Sequence, residues 1–243
     1  TGVPAQALVA LHEAQVTLVL VSGRTREQLV EAAAITGADG FVGELGAVLG
    51  WDRARQGEVL RGAMPDDLVG TPYDVACGAR LPERLFERYA GRLEWHSPWH
   101  VGHLADLMLR GNVDVDEVES WLGEVGFGWL AMHDNGVLPG RSMPGGGEPV
   151  HVYHLLPAGI DKGVGVARDL ARRGLGRGDA VAIGDSRSDL VMAAHVGHFY
   201  LVANGAVAPA TLAAASAYDN VTVTDAAYSL GWAEAVRHVL GLP

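Results

Sequence analysis

The stretch Val181-Ala182-Ile183-Gly184-Asp185-Ser186-Arg187-Ser188-Asp189-Leu190-Val191-Met192 governs how the rest of this sequence is interpreted. Its apolar start predicts a buried strand that ends at Gly184, and a helical pattern begins at Ser188. Asp185 and Asp189 then lie at the carboxyl end of a strand, where ligands bind in open α/β sheets. Two converging carboxylates repel each other unless a cation joins them, and oxygen ligands of this kind suit Mg²⁺. The pattern is short, however, and equally fits a turn whose Asp and Ser residues cap the helix.

The composition restricts the class of protein and of partner. At 243 residues, 49% of them hydrophobic and 19% charged, the chain can build one large domain or two smaller ones with a sizeable core. Lys and Arg number 18 against 29 Asp and Glu, a net charge of −11. This balance argues against a partner nucleic acid, which requires a basic surface. A small phosphorylated substrate stays compatible, because a bound metal can reverse the local field.

The remaining global features concern cysteine and targeting. Cys77 is the single cysteine, which excludes a disulfide framework and a thiol metal site. No apolar run reaches the roughly 18 residues of a membrane span, and residues 1–10 lack the pattern of a signal peptide. We therefore expect no membrane partner and a cytoplasmic location. Because Thr1 is not a start methionine, we also expect the sequence to begin inside a longer reading frame or to have been processed.

The first part of the chain predicts a strand followed by a capped helix. A helix over 5–14 precedes the run 16–21, which is rich in β-branched residues and typical of a parallel strand covered on both faces. Thr25 and Gln28 form a capping-box pattern for a helix that ends near residue 35. Ser22 is thereby placed at the tip of a buried strand, although this pattern alone favours a small polar turn residue.

The following segments predict an α+β insertion within an α/β core. The patterns favour a strand at 40–42, a hairpin from 44–49 and 58–60, helices over 81–93 and 113–125, strand pieces within 95–109, a hairpin turn at Asp134-Asn135-Gly136, and a strand at 150–156. The α/β pattern then resumes with a helix from Asp161-Lys162-Gly163, strands at 199–203 and 221–223, and helices at 208–215 and 232–240. We predict a doubly wound, parallel-sheet (Rossmann-like) core from 1–63 and 158–243, with an α+β cap domain at 64–157.

Three motifs in this order carry a family resemblance: Ser22-Gly23-Arg24-Thr25, Asp161-Lys162-Gly163, and Gly184-Asp185-Ser186 with Asp189. Together they resemble the haloacid dehalogenase superfamily of phosphatases. The inserted segment is similar to that of the branch with a large α+β cap, which includes sugar-phosphate and mannosyl-3-phosphoglycerate phosphatases. Glu44-Leu45-Gly46-Ala47 resembles that branch's E-N-G-A stretch, with Leu in place of Asn.

The resemblance implies a role for each motif residue. Ser22 would donate a hydrogen bond to the transferring phosphoryl group, and Lys162 would place a compact positive charge on that group. Gly23 and Arg24 would belong to the same substrate-binding loop, although the residue pattern favours an ordinary exposed arginine at a helix start for Arg24. Asp185 would ligate Mg²⁺, Asp189 would hold the metal's water shell or Lys162, and Ser186 is a secondary metal candidate. Ser188 stands where much of the branch has Asn.

The family's nucleophile is missing from this sequence. It is an Asp, also a metal ligand, within a D-x-D-G-T motif on the strand before the Ser22 strand, and no such motif occurs here. In the family's sheet order that strand lies between strand 16–21 and strand 180–183. Loss of a central strand exposes two rows of unpaired backbone groups, so we expect a truncation of roughly 15–20 residues. The competing interpretation is a non-catalytic relative in which something else fills the gap.

These features predict a Mg²⁺-dependent phosphatase that hydrolyses a phosphomonoester of a small metabolite, either a sugar phosphate or a phosphorylated organic acid. The alternatives are a catalytically inactive phosphate- or sugar-binding relative and, third, a phosphomutase. A zinc site at His96, His100 and His103 is not predicted, because Pro98 interrupts the helix there and no acidic residue has ligand spacing.

Overall fold

The computed structural model describes residues 2–242 of the chain. Its helices are α1 (Val3–Glu13), α2 (Arg26–Thr36), α3 (Pro72–Gly78), α4 (Leu81–Arg88), α5 (Val115–Glu124), α6 (Lys162–Arg173), α7 (Arg187–Leu190), α8 (Ala203–Ala206), α9 (Pro209–Ala215) and α10 (Tyr228–Leu240). Its strands are β1 (Val19–Val21), β2 (Gly40–Gly43), β3 (Val48–Trp51), β4 (Gln56–Val59), β5 (Leu93–Trp95), β6 (Leu107–Gly111), β7 (Leu130–Val137), β8 (His151–Pro157), β9 (Val181–Gly184), β10 (His198–Leu201) and β11 (Val221–Val223).

The strands form three sheets. One has the order β1-β2-β3-β4, with β1 and β2 parallel and the other two pairs antiparallel. A second, β11-β10-β9, is entirely parallel. The third, β5-β6-β8-β7, is antiparallel. In the first and second sheets, parallel strands alternate with helices. The third sheet and its helices α3–α5 lie between these two sheets in the chain. This arrangement is the predicted α/β fold class with an α+β insertion.

The helix that follows the first strand begins where its sequence predicts. Thr25 accepts a hydrogen bond from the Gln28 N–H, and the Gln28 side chain accepts one from the Thr25 N–H. This capping box satisfies two of the donors that a helix start leaves free. Gly37 ends α2 in the left-handed conformation, with φ of 69°. The predicted helix is therefore confirmed at both ends, and β1 delivers the chain directly to its start.

A cleft separates the two sheets that contain parallel strands. Among residues 2–242, β1 pairs only with β2 and β9 only with β10, so the facing edges of β1 and β9 have no partner strand. The cleft measures about 510 Å³, and mainly apolar residues of these strands and of the flanking α1, α6 and α10 line it. Both strands are only partly buried, whereas a central parallel strand is normally covered on both faces. Within residues 2–242 the parallel strands thus lie in two separate sheets.

The antiparallel sheet has a separate hydrophobic core. Its members all fall between Met64 and Tyr153–Leu155, and they join β5–β8 to helices α3–α5. A different cluster contains Leu156 and Ile160 together with Leu29 and Phe41 of the parallel-strand region. This separation follows the predicted boundaries of 64–157 except at Ala105 and Leu156, which belong to the second cluster, and the division into core and cap stays a prediction.

Several predicted elements differ from the structure. The Asp134-Asn135-Gly136 turn is wrong, because these residues continue β7, and an irregularity between Asp134 and Val137 absorbs the Gly136 φ of 98°. The turn signal is instead satisfied within a strand, where the Asp134 side chain accepts a hydrogen bond of 2.7 Å from the Gly136 N–H. Residues Glu44–Gly46 form a 3₁₀ turn instead of a strand. Helix α3 was not predicted.

Candidate active site

Lys162 is the first residue of α6, and its position follows from the helix cap. Asp161 is the N-cap, and its Oδ1 accepts a hydrogen bond of 2.8 Å from the Val164 N–H. The Lys162 side chain is 10% exposed, and its Nζ donates to Asp189 Oδ1 at 2.6 Å and to Ser188 Oγ at 3.3 Å. Lys162 is also the only lysine in the sequence, and the remaining 17 of the 18 Lys and Arg residues are Arg. A compact ammonium, as opposed to a planar guanidinium, is therefore held at this point.

Asp189 accepts hydrogen bonds from Lys162 and from the loop at residues 185–186. Its Oδ1 accepts from Lys162, and its Oδ2 accepts from the Asp185 N–H at 3.1 Å, the Ser186 N–H at 3.0 Å and the Ser186 Oγ at 2.6 Å. Burial alone would raise the pKa of Asp189, but the Lys162 charge and these hydrogen bonds lower that pKa below its usual value. The carboxylate is thus ionised, with both oxygens occupied by protein groups. Of its two predicted roles, these contacts match the holding of Lys162.

Asp185 is the more accessible carboxylate of the pair. It follows β9 directly and is exposed. Its Oδ2 accepts a hydrogen bond of 2.8 Å from Asn204 Nδ2, and the Asn204 Oδ1 accepts one of 2.8 Å from the Tyr228 N–H. Sequence reasoning missed Asn204. The available signal was its place just after the strand that neighbours β9, since carboxyl ends of parallel strands share one edge of a sheet.

The two serines of the loop bond to each other and to this corner. Ser186 Oγ lies 2.9 Å from Ser188 Oγ, and Ser188 also contacts Lys162. Ser186 takes part in the capping box of α7 with Asp189. Ser188, whose difference from the family's Asn leaves its role undefined by resemblance, is therefore in direct contact with the lysine.

The 22–24 loop reaches the site by way of a neighbouring turn. Ser22 is half-buried at the end of β1, and its Oγ accepts a hydrogen bond of 3.3 Å from the Arg24 N–H, while the Arg24 side chain is exposed. Within the described residues Ser22 makes no hydrogen bond to Lys162, Asp185 or Asp189. It is joined to them through backbone, since the Leu45 N–H donates to Ser22 O at 3.2 Å.

Gly46 explains how closely this turn approaches the lysine helix. A Cβ at this position would lie 1.9 Å from Asp161 O and 3.0 Å from Lys162 N, and the residue has φ of 113°. A side chain there is excluded both by the contact and by the backbone conformation. The structure thus joins Lys162, Ser186, Ser188 and Asp189 in one hydrogen-bonded group. Ser22 does not join this group directly and is connected to the start of α6 only through the turn at residues 44–46.

A pocket of about 630 Å³ opens next to Lys162. One wall is formed by Asp161, Lys162 and the loop residues 186–188, and the opposite wall by residues 132–136 of β7. His133 in that wall has its pKa lowered by burial and by the charge of His154. The β7 segment with the incorrectly predicted turn is therefore the part of the insertion that faces the lysine.

The donor set is compatible with Mg²⁺ only in part. In the part of the chain that the structure describes, no three His, Cys, Asp or Glu side chains are grouped so that they could hold a metal ion. Mg²⁺ generally takes one or two protein carboxylates and completes its shell with water and substrate phosphate. Asp185 is accessible for this role, whereas the oxygens of Asp189 are occupied. The residues fit a Mg²⁺ site that obtains most of its oxygens from elsewhere.

Comparison with known proteins finds a family match in the second half of the chain. Residues 148–226, which include Lys162, Asp185, Asp189 and Asn204, match the model of the haloacid dehalogenase-like hydrolases. Solved structures of such proteins superpose on nearly the whole chain. This chain has the haloacid dehalogenase fold. The predicted resemblance to that superfamily is confirmed.

Three solved haloacid dehalogenase structures illustrate the similarity. A haloacid dehalogenase-like hydrolase from Bacteroides thetaiotaomicron has a TM-score of 0.64 at 18% identity, covering 98% of this chain and 92% of its own. The sucrose-phosphatase from Synechocystis sp. PCC6803, in complex with sucrose and phosphate, has a TM-score of 0.65 at 14% identity, covering 97% and 90%. A subclass IIB sugar phosphatase has a TM-score of 0.60 at 15% identity, covering 98% and 91%. The comparison with curated proteins finds no match. Among residues 2–242, no helix has both the length and the apolarity needed to cross a membrane.

Proposed function

We propose that this chain forms most of a Mg²⁺-dependent phosphatase that hydrolyses a phosphomonoester of a small metabolite. The observation that carries the proposal is the single lysine, buried at a helix start and held by Asp189 at 2.6 Å beside an open pocket. The solved proteins of this fold that act on sugar phosphates support the same class of substrate.

In this proposal Lys162 and the 22–24 loop bind the phosphoryl group. Catalysis of phosphoryl transfer is largely positioning and neutralisation of charge. Asp189 and Ser188 fix the direction of the ammonium, so that little reorganisation is needed when the negatively charged group arrives. The Ser22 hydroxyl donates a hydrogen bond to that group, and Gly23 and Arg24 complete the loop.

Asp185 would hold the Mg²⁺, with Ser186 and Asp189 next to it as the secondary candidates. When bound, the metal would neutralise phosphate charge and help to orient the group. Asn204 donates to Asp185 Oδ2, which leaves the other carboxylate oxygen as the one turned to a cation. We propose Asn204 as the residue that orients Asp185.

The nucleophile requires one more strand, and the cleft between β1 and β9 supports the presence of such a strand. We propose that an additional strand occupies this cleft in the active protein and that it carries the nucleophilic Asp and the second metal carboxylate that the family resemblance implies. The carboxyl ends of β1 and β9 carry Ser22 and Asp185, so a parallel strand between them would end beside both.

We further propose that residues 64–157 form the cap and select the substrate. The support is the position of β7 across the pocket from Lys162, with His133, Asp134 and Asn135 available to contact the leaving group. Polar side chains of this kind fit a substrate with hydroxyl or carboxylate groups.

A cytoplasmic location stays part of the proposal.

A specific observation favours the second candidate, an inactive phosphate- or sugar-binding relative. The 243 residues contain no D-x-D-G-T motif. Phosphate recognition by Lys162 needs no nucleophile, so this alternative retains binding and loses turnover.

To test this proposal, the protein is expressed from its complete reading frame. Its phosphatase activity is then assayed on a panel of sugar phosphates and on phosphoglycolate, with and without Mg²⁺. We expect phosphate release that requires Mg²⁺, and we expect Asp185→Asn to abolish that requirement together with most activity. Binding of phosphate without release from any substrate supports the inactive relative. Release that proceeds equally without metal, or full metal dependence in Asp185→Asn, contradicts the phosphatase proposal as stated.

A further inference from the structure

The turn at residues 44–46 is joined to the 22–24 loop by two backbone hydrogen bonds. The Glu44 N–H donates to Arg24 O at 3.1 Å, and the Leu45 N–H donates to Ser22 O at 3.2 Å. Both Glu44 and Leu45 are left-handed, with φ of 47° and 54°. Two consecutive non-glycine residues in this region are strained and persist only where surrounding contacts impose the conformation.

The Glu44 side chain supplies those contacts from a distant part of the chain. It is fully buried, and its carboxylate accepts from the N–H groups of Leu104 at 2.9 Å, Ala105 at 2.8 Å and Asp106 at 3.0 Å. Hydrogen bonds from several N–H groups to one buried carboxylate are charge-assisted and geometrically demanding. One side chain therefore attaches the turn beside Ser22 to residues 104–106 of the insertion.

The same cluster returns to the loop through a second route. His103 Nδ1 lies 3.5 Å from Glu44 Oε2 and 3.8 Å from Asp106 Oδ2, and Asp106 bonds to His154 Nδ1 at 2.5 Å. A Cβ placed on Gly23 would lie 3.6 Å from His154 Cε1, so this ring packs against the loop itself. Two carboxylates and two imidazoles, all buried, thus connect the insertion to both sides of the 22–24 loop.

We propose that Glu44 is a positioning residue that holds the phosphate-binding loop at a fixed distance from the insertion. Its carboxylate, bonded to residues 104–106, imposes the left-handed turn, and the N–H groups of that turn hold the backbone of Ser22 and Arg24. Without the carboxylate the turn relaxes, and the loop loses two hydrogen bonds. This inference rests on the proposed function for its consequence in phosphate binding, but the coupling itself is independent of it.

A purely structural ion pair would give a different result, and the chain contains a matched control. Asp169 is a buried carboxylate that pairs with Arg172 at 2.8 Å and Arg173 at 2.7 Å on α6. Asp169→Asn removes a buried charge of the same kind without contact to the 22–24 loop. The test compares it with Glu44→Gln, which keeps the shape of the side chain and removes its charge.

Two measurements are made on both variants and on the unchanged protein, expressed from the complete reading frame. The first is hydrogen–deuterium exchange of peptides that cover residues 20–26, 42–47 and 102–107. The second is the affinity for inorganic phosphate in the presence of Mg²⁺. For Glu44→Gln we expect faster exchange in all three peptides and phosphate binding weakened by about tenfold or more, as loss of a well-oriented charged contact implies. For Asp169→Asn we expect all three peptides and the affinity to stay unchanged.

A rescue variant separates positioning from packing. Asn adopts the left-handed region more readily than Leu, so Leu45→Asn in the Glu44→Gln background should slow the exchange of residues 20–26 again. If Glu44→Gln does not fold, Glu44→Asp, which is one methylene shorter, is measured in its place.

The outcomes are distinguishable. Faster exchange confined to residues 102–107, with unchanged phosphate affinity, overturns the positioning role. If the unchanged protein binds no phosphate, the proposed function fails, while the exchange of residues 20–26 still decides whether Glu44 holds the loop.

Discussion

At the scale of single residues, Lys162 shows why the type of cation matters. Its ammonium bonds to both Asp189 and Ser188, and the Lys162 side chain is 10% exposed. A guanidinium is larger and planar, and it would prefer a two-point contact with Asp189 to the single one observed.

We therefore predict that Lys162→Arg weakens the binding of inorganic phosphate by about tenfold or more although it retains the charge. The measurement is calorimetric titration with phosphate. Arg168→Lys, on the exposed side of the same helix in a pair with Glu58, is the control and should bind as the unchanged protein does. Equal affinity of Lys162→Arg would show that the charge alone is sufficient.

His103 lies in the buried cluster with Glu44 and Asp106, and these neighbours shift its pKa. Burial alone would lower the pKa of His103, but its interaction with the Glu44 carboxylate and the charge of Asp106 raise that pKa to about 9, from 6.5. His154 adjoins the cluster on the far side of Asp106. Because the folded protein holds the proton more tightly, this stabilisation is complete below pH 6.5 and is lost as the pH rises through about 9.

We predict that the free energy of unfolding decreases between pH 6.5 and 9 by about 3 kcal/mol at most from this group. His103→Gln should be less stable at pH 6.5 and should lack this part of the slope. Denaturant titrations of both proteins across the range provide the measurement, and their difference removes the contributions of other groups. Parallel curves for the two proteins would contradict the raised pKa.

At the scale of elements, the start of α6 connects helix capping to the position of the lysine. The Asp161 carboxylate caps the helix, and the next residue is Lys162. Asn and Asp are equally good N-caps, whereas Ala is a poor one.

We predict that Asp161→Ala lowers the free energy of unfolding by about 1 kcal/mol and also weakens phosphate binding, whereas Asp161→Asn changes the stability by only a few tenths. The two variants lose the same charge, so a difference between them reports the cap. Thermal unfolding and phosphate titration measure the two effects. If both variants behave alike, charge at residue 161 and not the helix start is what matters.

At the scale of the whole molecule, the cleft between β1 and β9 is the dominant feature. Its two strand edges expose backbone groups whose burial without partners is costly. A strand inserted there would join the two parallel-strand sheets into one and would cover the apolar residues of α1, α6 and α10.

We predict that amide exchange in β1 and β9 is slow in the protein from the complete reading frame and faster in a chain limited to residues 1–243. The exchange of β6 and β8, which are paired on both sides in the third sheet, should be the same in both and serves as the internal control. Equally slow exchange of β1 and β9 in the shorter chain would mean that no added strand protects these edges.

Local patterns were sufficient for those parts of the fold and site that depend on neighbours in sequence. The capping box of Thr25 and Gln28, the cap of Asp161 before Lys162, and the spacing of Asp185 and Asp189 all act within one helical turn, so the residue types reveal them. The parallel-strand architecture and the insertion follow from the order of such local units.

The remaining features depend on contacts between segments that are far apart in the chain. Glu44 receives hydrogen bonds from residues about 60 positions later, and Asn204 reaches Asp185 from the segment that follows the neighbouring strand. The strand β7 continues through Asp134-Asn135-Gly136 because β8 pairs with Asp134 on one side of the irregularity and with Val137 on the other. No local periodicity encodes such pairings, since each requires the packed sheets to bring two segments together. For the same reason, the position of β7 across from Lys162 and the cleft between β1 and β9 are properties of the folded molecule alone.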